Sequence, residues 1–254
     1  MIRRLATVEK KAWADKAKIK AGEDPEEVAD EKDEDGSTEI PTHLIDKAIT
    51  AYTAFYKSYG KNVKLGVIED SSNRSKLAKL LRFASSKSLE NDKAGTGPPM
   101  RGLEDYVKDM AADQKQIYFI AGESIETLKQ SPFLEKITSK GLEVFLMTDP
   151  IDEYVIQNLP EFEGKRLQSI TKEGLQLPDD GGKGKRLEAA YKEDFKPLTV
   201  ALKKVLGEKV EKVAVSNRLD KTPAVLVTSQ FGYSSNMERI MKSQVRLHGR
   251  ALPC

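Results

Sequence analysis

Few residues of this chain stand where they could carry covalent chemistry. Its one cysteine is Cys254, the last residue, so no disulfide can close within the chain. The two histidines, His43 and His248, have no neighbour at metal-ligand spacing, which argues against a zinc site. No G-x-S-x-G elbow and no H-E-x-x-H pair occurs. Adjacent carboxylates such as Asp152 and Glu153 are common in a chain this acidic and carry little weight. The acidic run ending at Gly36 invites a calcium-loop reading. With Gly36 at the sixth loop position, Thr42 falls where a bidentate glutamate is needed, so the pattern fails. Ile120–Ser124, I-A-G-E-S, could hold an anion with Ser124 and a helix start. It lacks the glycines of either phosphate-loop motif, so a phosphorylated ligand is the weaker, alternative reading.

What remains is soft apolar chemistry. In FGYSSNMERIMKSQ, residues 231–244, Ser235 and Glu238 form an S-x-x-E capping box that starts a helix. Met237, Ile240 and Met241 then share one face. That face could pack as ordinary core. It could equally be an adaptable surface, because methionine's thioether and three torsions fit many shapes. The readings overlap, since one face can be core while its rim is exposed.

The bulk numbers set the frame for these residues. The 254 residues suffice for one large or two small domains. With 42 basic against 40 acidic residues, the net charge of +2 gives no reason to expect nucleic acid as a partner. No apolar run approaches 18 residues, so no membrane partner is expected, and the basic start lacks the apolar stretch of a secretory signal.

Along the chain, residues 1–20 read as a basic helix. Residues 22–39 carry ten acids and one lysine, the composition of a solvated, disordered insertion. A helix follows Pro41, with Leu44, Ile45, Ala48, Ile49, Tyr52, Phe55, Tyr56 and Tyr59 on one face and Gly60 as its closing residue. A short apolar run, K-L-G-V-I-E-D, comes next. Then Ser71 or Ser72 caps a helix whose leucines, Leu77, Leu80 and Leu81, oppose a basic, solvated face of Arg74, Lys76, Lys79 and Arg82. Residues 84–102 read as loop. QIYFIAG and EVFLMT read as buried strands with helices between them, the second helix starting at Ser131-Pro132. This predicts a β-α-β unit with a parallel pair. A short helix over D-P-I-D-E-Y ends at Pro160. Residues 177–187 form the best linker, and beyond a further helix residues 211–231 read as two strands of a hairpin. The fold class is therefore α/β, or α+β overall.

These segments fall in an order that resembles the heat shock protein 90 chaperones. The resemblance rests on KNVKLGVIEDSSNRSKLAKLLRF, QIYFIAGES, SPFLEKITSKGLEVFLMTDPIDEY, LPEFEGKR, FKPLTVALKKVLGEKVEKVAVSNRL and FGYSSNMERIMKSQ, across roughly residues 44–244. I-Q-N-L-P-E-F-E-G-K-R and S-N-R-S-K-L-A-K-L-L-R-F are most similar to the endoplasmic-reticulum branch.

The resemblance implies a basic helix and acidic insertion at 1–41, the late middle domain at 42–176, a linker at 177–187, and the start of the C-terminal domain at 188–244. The tail 245–254 departs from the family pattern. It implies a chaperone of the endoplasmic-reticulum lumen, otherwise cytoplasmic, that binds unfolded or partly folded client proteins. The family's ATP and magnesium sites lie outside the matched segments, so this chain is expected to bind neither and not to act as an enzyme. The dimerising helices of the family are not matched either, so a monomer is expected, and the chain reads as a partial product. In relatives, clients touch the helix after T-D-P-I-D-E and the amphipathic helix after F-G-W. Carried over, this implies a client surface of Glu153, Tyr154 and Gln157 with Tyr233, Met237, Ile240 and Met241. Tyr233 stands where many relatives have tryptophan.

Overall fold

The computed structural model describes residues 6–14, 45–94, 100–178 and 183–247. The acidic insertion, His43 and the last seven residues lie outside the described residues.

Helix α1 covers residues 6–14 and α2 Ile45–Glu69. The helix expected to close at Gly60 continues through it for nine more residues. A glycine within a helix costs about 1 kcal/mol. Burial of Val63 and Val67, each worth about 1.5–3 kcal/mol, outweighs that. Gly60 has a packing reason as well, for a Cβ there would lie 2.9 Å from the Tyr56 ring. The helix stops where Arg74 turns back and donates to the carbonyls of Val67 and Ile68 at 2.8 and 3.1 Å. Helix α3 is short, Arg74–Ala78, and its N-cap is Asn73, not Ser71 or Ser72. Arg82 is not on a solvated face: it is buried and lies over the Tyr52 ring at 4.6 Å.

The stretch expected to be loop instead holds β1, Ala84–Ser85, and α4, Ser86–Ala94. Its serines read as loop formers, but they are caps. Ser85 N donates to Ser88 Oγ at 2.8 Å and Ser88 N returns to Ser85 Oγ at 2.9 Å.

After α5, Leu103–Lys108, strand β2 runs Gln116–Ala121. Helix α6, Ile125–Lys129, a 3-10 turn at Pro132–Leu134 and α7, Glu135–Ser139, lead to β3, Phe145–Met147. Strand β3 pairs parallel to β2, with Phe119 opposite Phe145, as the β-α-β pattern predicts. Helix α8, Pro150–Asn158, then leads to β4, Glu161–Phe162, and β5, Lys165–Ser169. The sheet order is β1-β3-β2-β5-β4, so β5 flanks β2 on the side opposite β3.

Strand alternation builds two cores from one sheet. Ile117, Phe119, Phe145, Met147 and Leu167 face Val63, Val67, Tyr106 and Val155 from α2, α5 and α8. Tyr118, Ile120 and Leu146 face Leu128, Leu134 and Ile137 from the α6–α7 connection. The two layers are joined at Tyr106, whose hydroxyl donates to Glu143 O at 2.6 Å. It accepts from Gln114 Nε2 at 3.0 Å and from Tyr118 N at 3.1 Å. Burial pushes the Tyr106 pKa up, so the hydroxyl keeps its proton at any working pH. Tyr106→Phe removes all three bonds inside the core. The expected loss is about 1–3 kcal/mol in a urea titration; an unmoved midpoint would mean that the hydroxyl is not what joins the layers.

The C-terminal part contains α9, Lys183–Asp194, α10, Lys196–Leu206, a 3-10 turn at Gly207–Lys209 and α11, Ser235–Leu247. The expected hairpin over 211–231 does not form. The segment makes only an isolated parallel bridge, Lys172 with Thr228. Pro223 offers no N–H to a ladder, and a lone two-stranded hairpin is marginal in water. Other bonds hold the segment. Arg218 donates to the carbonyls of Ile170 and Lys172 at 3.2 and 3.0 Å. The Glu135 carboxylate takes Lys221 N at 3.0 Å, and Thr222 through its N and Oγ1.

Candidate functional site

Helix α8 is positioned by its own start. Asp149 and Asp152 form a capping box, and Pro150 at the first turn fits the fixed φ of a helix N-terminus. The helix is then fastened on two sides by adjacent carboxylates. Asp152 faces α2, where Lys64 Nζ lies 2.7 Å from Asp152 Oδ1 and 2.7 Å from Asp149 Oδ2. Burial pushes the Asp152 pKa up to about 6, against the pull of Lys64. Burial opposes the Lys64 charge too, but the carboxylates beside it hold its pKa above the usual lysine value.

Glu153 faces the other way, toward α11. Its Oε1 accepts from Ser234 Oγ at 2.6 Å and from Asn236 Nδ2 at 3.1 Å. The same Ser234 hydroxyl accepts from Met237 N at 3.0 Å. Ser234 is therefore the N-cap of α11, one residue before the Ser235 that the S-x-x-E spacing suggested. Two serines in succession made the register ambiguous, and the neighbouring Glu153 resolves it.

Of the residues carried over from the resemblance, Met237 and Ile240 are buried, at 4% and 7% exposure. Tyr233 and Met241 are open, at 58% and 38%. Glu153 is buried, Tyr154 half-buried and Gln157 exposed. The apolar face of α11 thus has a buried centre and an exposed rim. Glu153, Gln157, Tyr233 and Met237 line one groove of about 690 Å³, while Tyr154, Ile240 and Met241 are not in its wall. Sequence reasoning missed Ile156, Phe133, Arg166 and Leu226 in that wall. Ile156, three residues after Glu153 on α8, could have been found from helical spacing. Arg166 and Leu226 come from a polar strand and an irregular segment, and carry no such signal. Leu226 and Phe231 extend the open apolar surface at 83% and 93% exposure.

The groove lies where an α/β sheet ordinarily places one. Its wall includes Ala121 and Gly122 at the carboxyl end of β2 and Ser169 at that of β5. The chain leaves β2 toward β3 on one side, and β5, reached later through α8 and β4, flanks β2 on the other. Ile120, Ala121, Gly122 and Glu123 of the I-A-G-E-S turn are in this wall, but Ser124 is not; its Oγ is engaged as the cap of Thr127 N at 3.2 Å, and α6 has only five residues. Among the described residues no group of three or more His, Cys, Asp or Glu side chains could hold a metal, and no helix is long and apolar enough to cross a membrane.

The Hsp90 protein family model matches residues 9–250. The chain belongs to the Hsp90 family, the chaperone family that its segments resemble. Among the curated proteins, it is 46% identical over 225 residues to an endoplasmin homolog of Catharanthus roseus, and 45% identical over 225 residues to one of Arabidopsis thaliana. Those matches cover 88% of this chain but 26% and 25% of the relatives, so the chain spans about a quarter of their length. Among solved structures, the middle domain of a Plasmodium falciparum heat shock protein matches 51% of this chain and 52% of its own. The TM-score is 0.43 at 31% identity.

Proposed function

We propose that this chain is the client-holding part of an endoplasmin-like chaperone of the endoplasmic-reticulum lumen. Its site is the groove and rim between α8 and α11, and the division near 177–187 separates the part that carries α8 from the part that carries α11. The observation that supports this best is the open apolar rim, Tyr233, Met241, Leu226 and Phe231, on the segment that reaches the groove. Large apolar groups on a surface, next to charges such as Arg239 and Lys242, suit weak binding of unfolded segments. Glu153, Tyr154 and Gln157 form the α8 side of this surface. Met237 and Ile240 support it from beneath. The described residues hold no nucleotide in this reading, so ATP turnover belongs to the whole chaperone, and the isolated chain acts as a monomer.

The test is light scattering from a thermally unfolding model protein, heated with and without this chain. The chain is expected to suppress aggregation equally with and without ATP. A Tyr233→Ser, Met241→Ser variant of unchanged circular dichroism is expected to lose most of that suppression, because both side chains are on the rim and contribute little to the core. If the variant holds the model protein as well as the wild type, the rim is not the client surface. ATP-dependent suppression would overturn the nucleotide-free part of the reading.

A further inference from the structure

Helix α11 carries two methionines one turn apart, Met237 and Met241, the same thioether in opposite surroundings. We propose that Met241 is a reversible oxidation site at which hydrogen peroxide turns down client holding, an inference that rests on the client surface proposed above.

Met241 is singled out by where the fold leaves it. The chain has six methionines, of which Met1 lies outside the described residues. Met147 and Met237 are buried, Met100 and Met110 half-buried, and Met241, at 38% exposure, is the most open of the five. Residues four apart share a helix face, so spacing alone would treat Met237 and Met241 alike. The latch at the start of α11 separates them. Ser234 Oγ donates to Glu153 Oε1 at 2.6 Å and accepts from Met237 N at 3.0 Å, which seats the first turn on α8 and covers Met237. Met241 is one turn past that seat. The charges on its part of the helix, Glu238 and Lys242, pair with each other at 3.8 Å with most of their side chains in water, so a small polar oxidant reaches this turn unhindered.

The chemistry balances with peroxide alone. A lone pair on Met241 Sδ attacks one oxygen of hydrogen peroxide. An S–O bond forms and the O–O bond breaks. The other oxygen leaves with the electron pair, takes the proton of the transferred hydroxyl and departs as water. The sulfur gives up two electrons and the peroxide gains them. The sulfoxide is polar, and reductases return it to the thioether, so the step is reversible. Met241 belongs to the rim whose apolar area supports holding, so its oxidation removes apolar contact while the two cores keep theirs. At Met237 the added oxygen would be buried with the side chain at a desolvation cost, and the docked helix keeps peroxide away.

The experiment treats the full chain with dilute hydrogen peroxide, stops the reaction with catalase and divides the sample. Cys254, the one thiol, is alkylated first so that it takes no peroxide. Tryptic cleavage after Arg239 and Lys242 puts Met237 and Met241 in separate peptides, and mass spectrometry follows the added oxygen in each. Met241 is expected to oxidise about tenfold faster than Met237, in proportion to exposures of 38% and 4%. Light scattering reads holding in the other half. The chain concentration that half-suppresses aggregation should rise about twofold or more as one rim group turns polar, and should return after treatment with the two epimer-specific sulfoxide reductases. In Met241→Leu, treated and untreated chain should hold equally, whatever the starting level. In Glu153→Ala, which frees the start of α11, oxidation should accelerate at Met237 and not at Met241. Equal rates at the two methionines of the wild-type chain, or a peroxide-induced loss of holding undiminished in Met241→Leu, overturns the assignment. A chain that holds nothing before treatment overturns the client reading instead, and the oxidation map still decides whether Met241 is the site.

Discussion

Replacing Lys64 by methionine is expected to destabilise the chain by about 3–5 kcal/mol, the loss typical of removing one partner from a buried ion pair. Lys64 lies under α8 with its side chain 6% exposed, and Asp152 opposite is 3% exposed. Methionine keeps the length of the stem against Phe83, whose ring centroid is 5.4 Å from Nζ, so the change isolates the charge. Asp152 is then left as a buried carboxylate without its cation, while Asp149, 40% exposed, can turn to water. The second variant decides the mechanism. Lys64→Met with Asp152→Leu removes both charges, and should recover most of the loss, because apolar replacement of a whole buried pair is often neutral. A double variant no more stable than the single one would show that the packing of the lysine stem, not the pairing, matters. The pH dependence has a definite sign. The Asp152 pKa is raised in the folded chain to about 6 from an ordinary 3.8. Its contribution to stability is therefore fully present below about 3.8 and is lost as pH rises through about 6. Melts of the Lys64→Met variant should show a larger deficit against wild type at pH 7.5 than at pH 5, where Asp152 can take up a proton.

The elements with strong periodicity are legible in the sequence. QIYFIA and FLM alternate between two apolar faces and are strands; D-P-I-D-E announces a capped helix start. Segments whose role depends on distant partners were not legible. Residues 64–70 read as a separate apolar run because Gly60 looked like a stop, and only the surface that Val63 and Val67 cover explains the continuing helix. Strand β5, K-R-L-Q-S, lies beside the central strand yet is mostly polar, so no hydrophobic pattern marked it. A local signal was present all the same. Glu163 and Gly164 both have positive φ, 48° and 73°, between paired Phe162 and Lys165, the two-residue turn of a tight hairpin. The Val-rich stretch 210–227 failed in the opposite sense, having strand-like residues without a third strand to complete them. At the site, the resemblance supplied the residues of α8 and α11, but nothing in the sequence tells that Met237 is covered and Met241 is open. That distinction follows from Glu153, which draws the start of α11 onto α8.

Glu153→Ala is therefore expected to change what the chain exposes more than whether it folds. The carboxylate is the common acceptor for Ser234 and Asn236, and Ser234 in turn caps α11. Hydrogen bonds to a charged group contribute about 1.5–3 kcal/mol each way of counting. Losing this latch should raise the population with α11 detached by roughly 10–100-fold, at about 1.4 kcal/mol per tenfold. The sheet and its two cores lie upstream and keep their contacts, so far-ultraviolet dichroism should lose little more than the signal of one helix. Detachment uncovers Met237 and Ile240 beside an already open Tyr233 and Met241. Binding of an apolar dye should rise, amide exchange at Met237 and Glu238 should accelerate, and holding of an unfolding model protein should fall, because the groove between α8 and α11 is taken apart. Glu153→Gln retains one acceptor oxygen and should lie between the two. If amide exchange in α11 is unchanged in Glu153→Ala, the helix is held by its apolar face alone and the latch has no part in it. If exchange accelerates while holding rises, clients bind the uncovered methionine face of α11, and the groove between α8 and α11 is not the site.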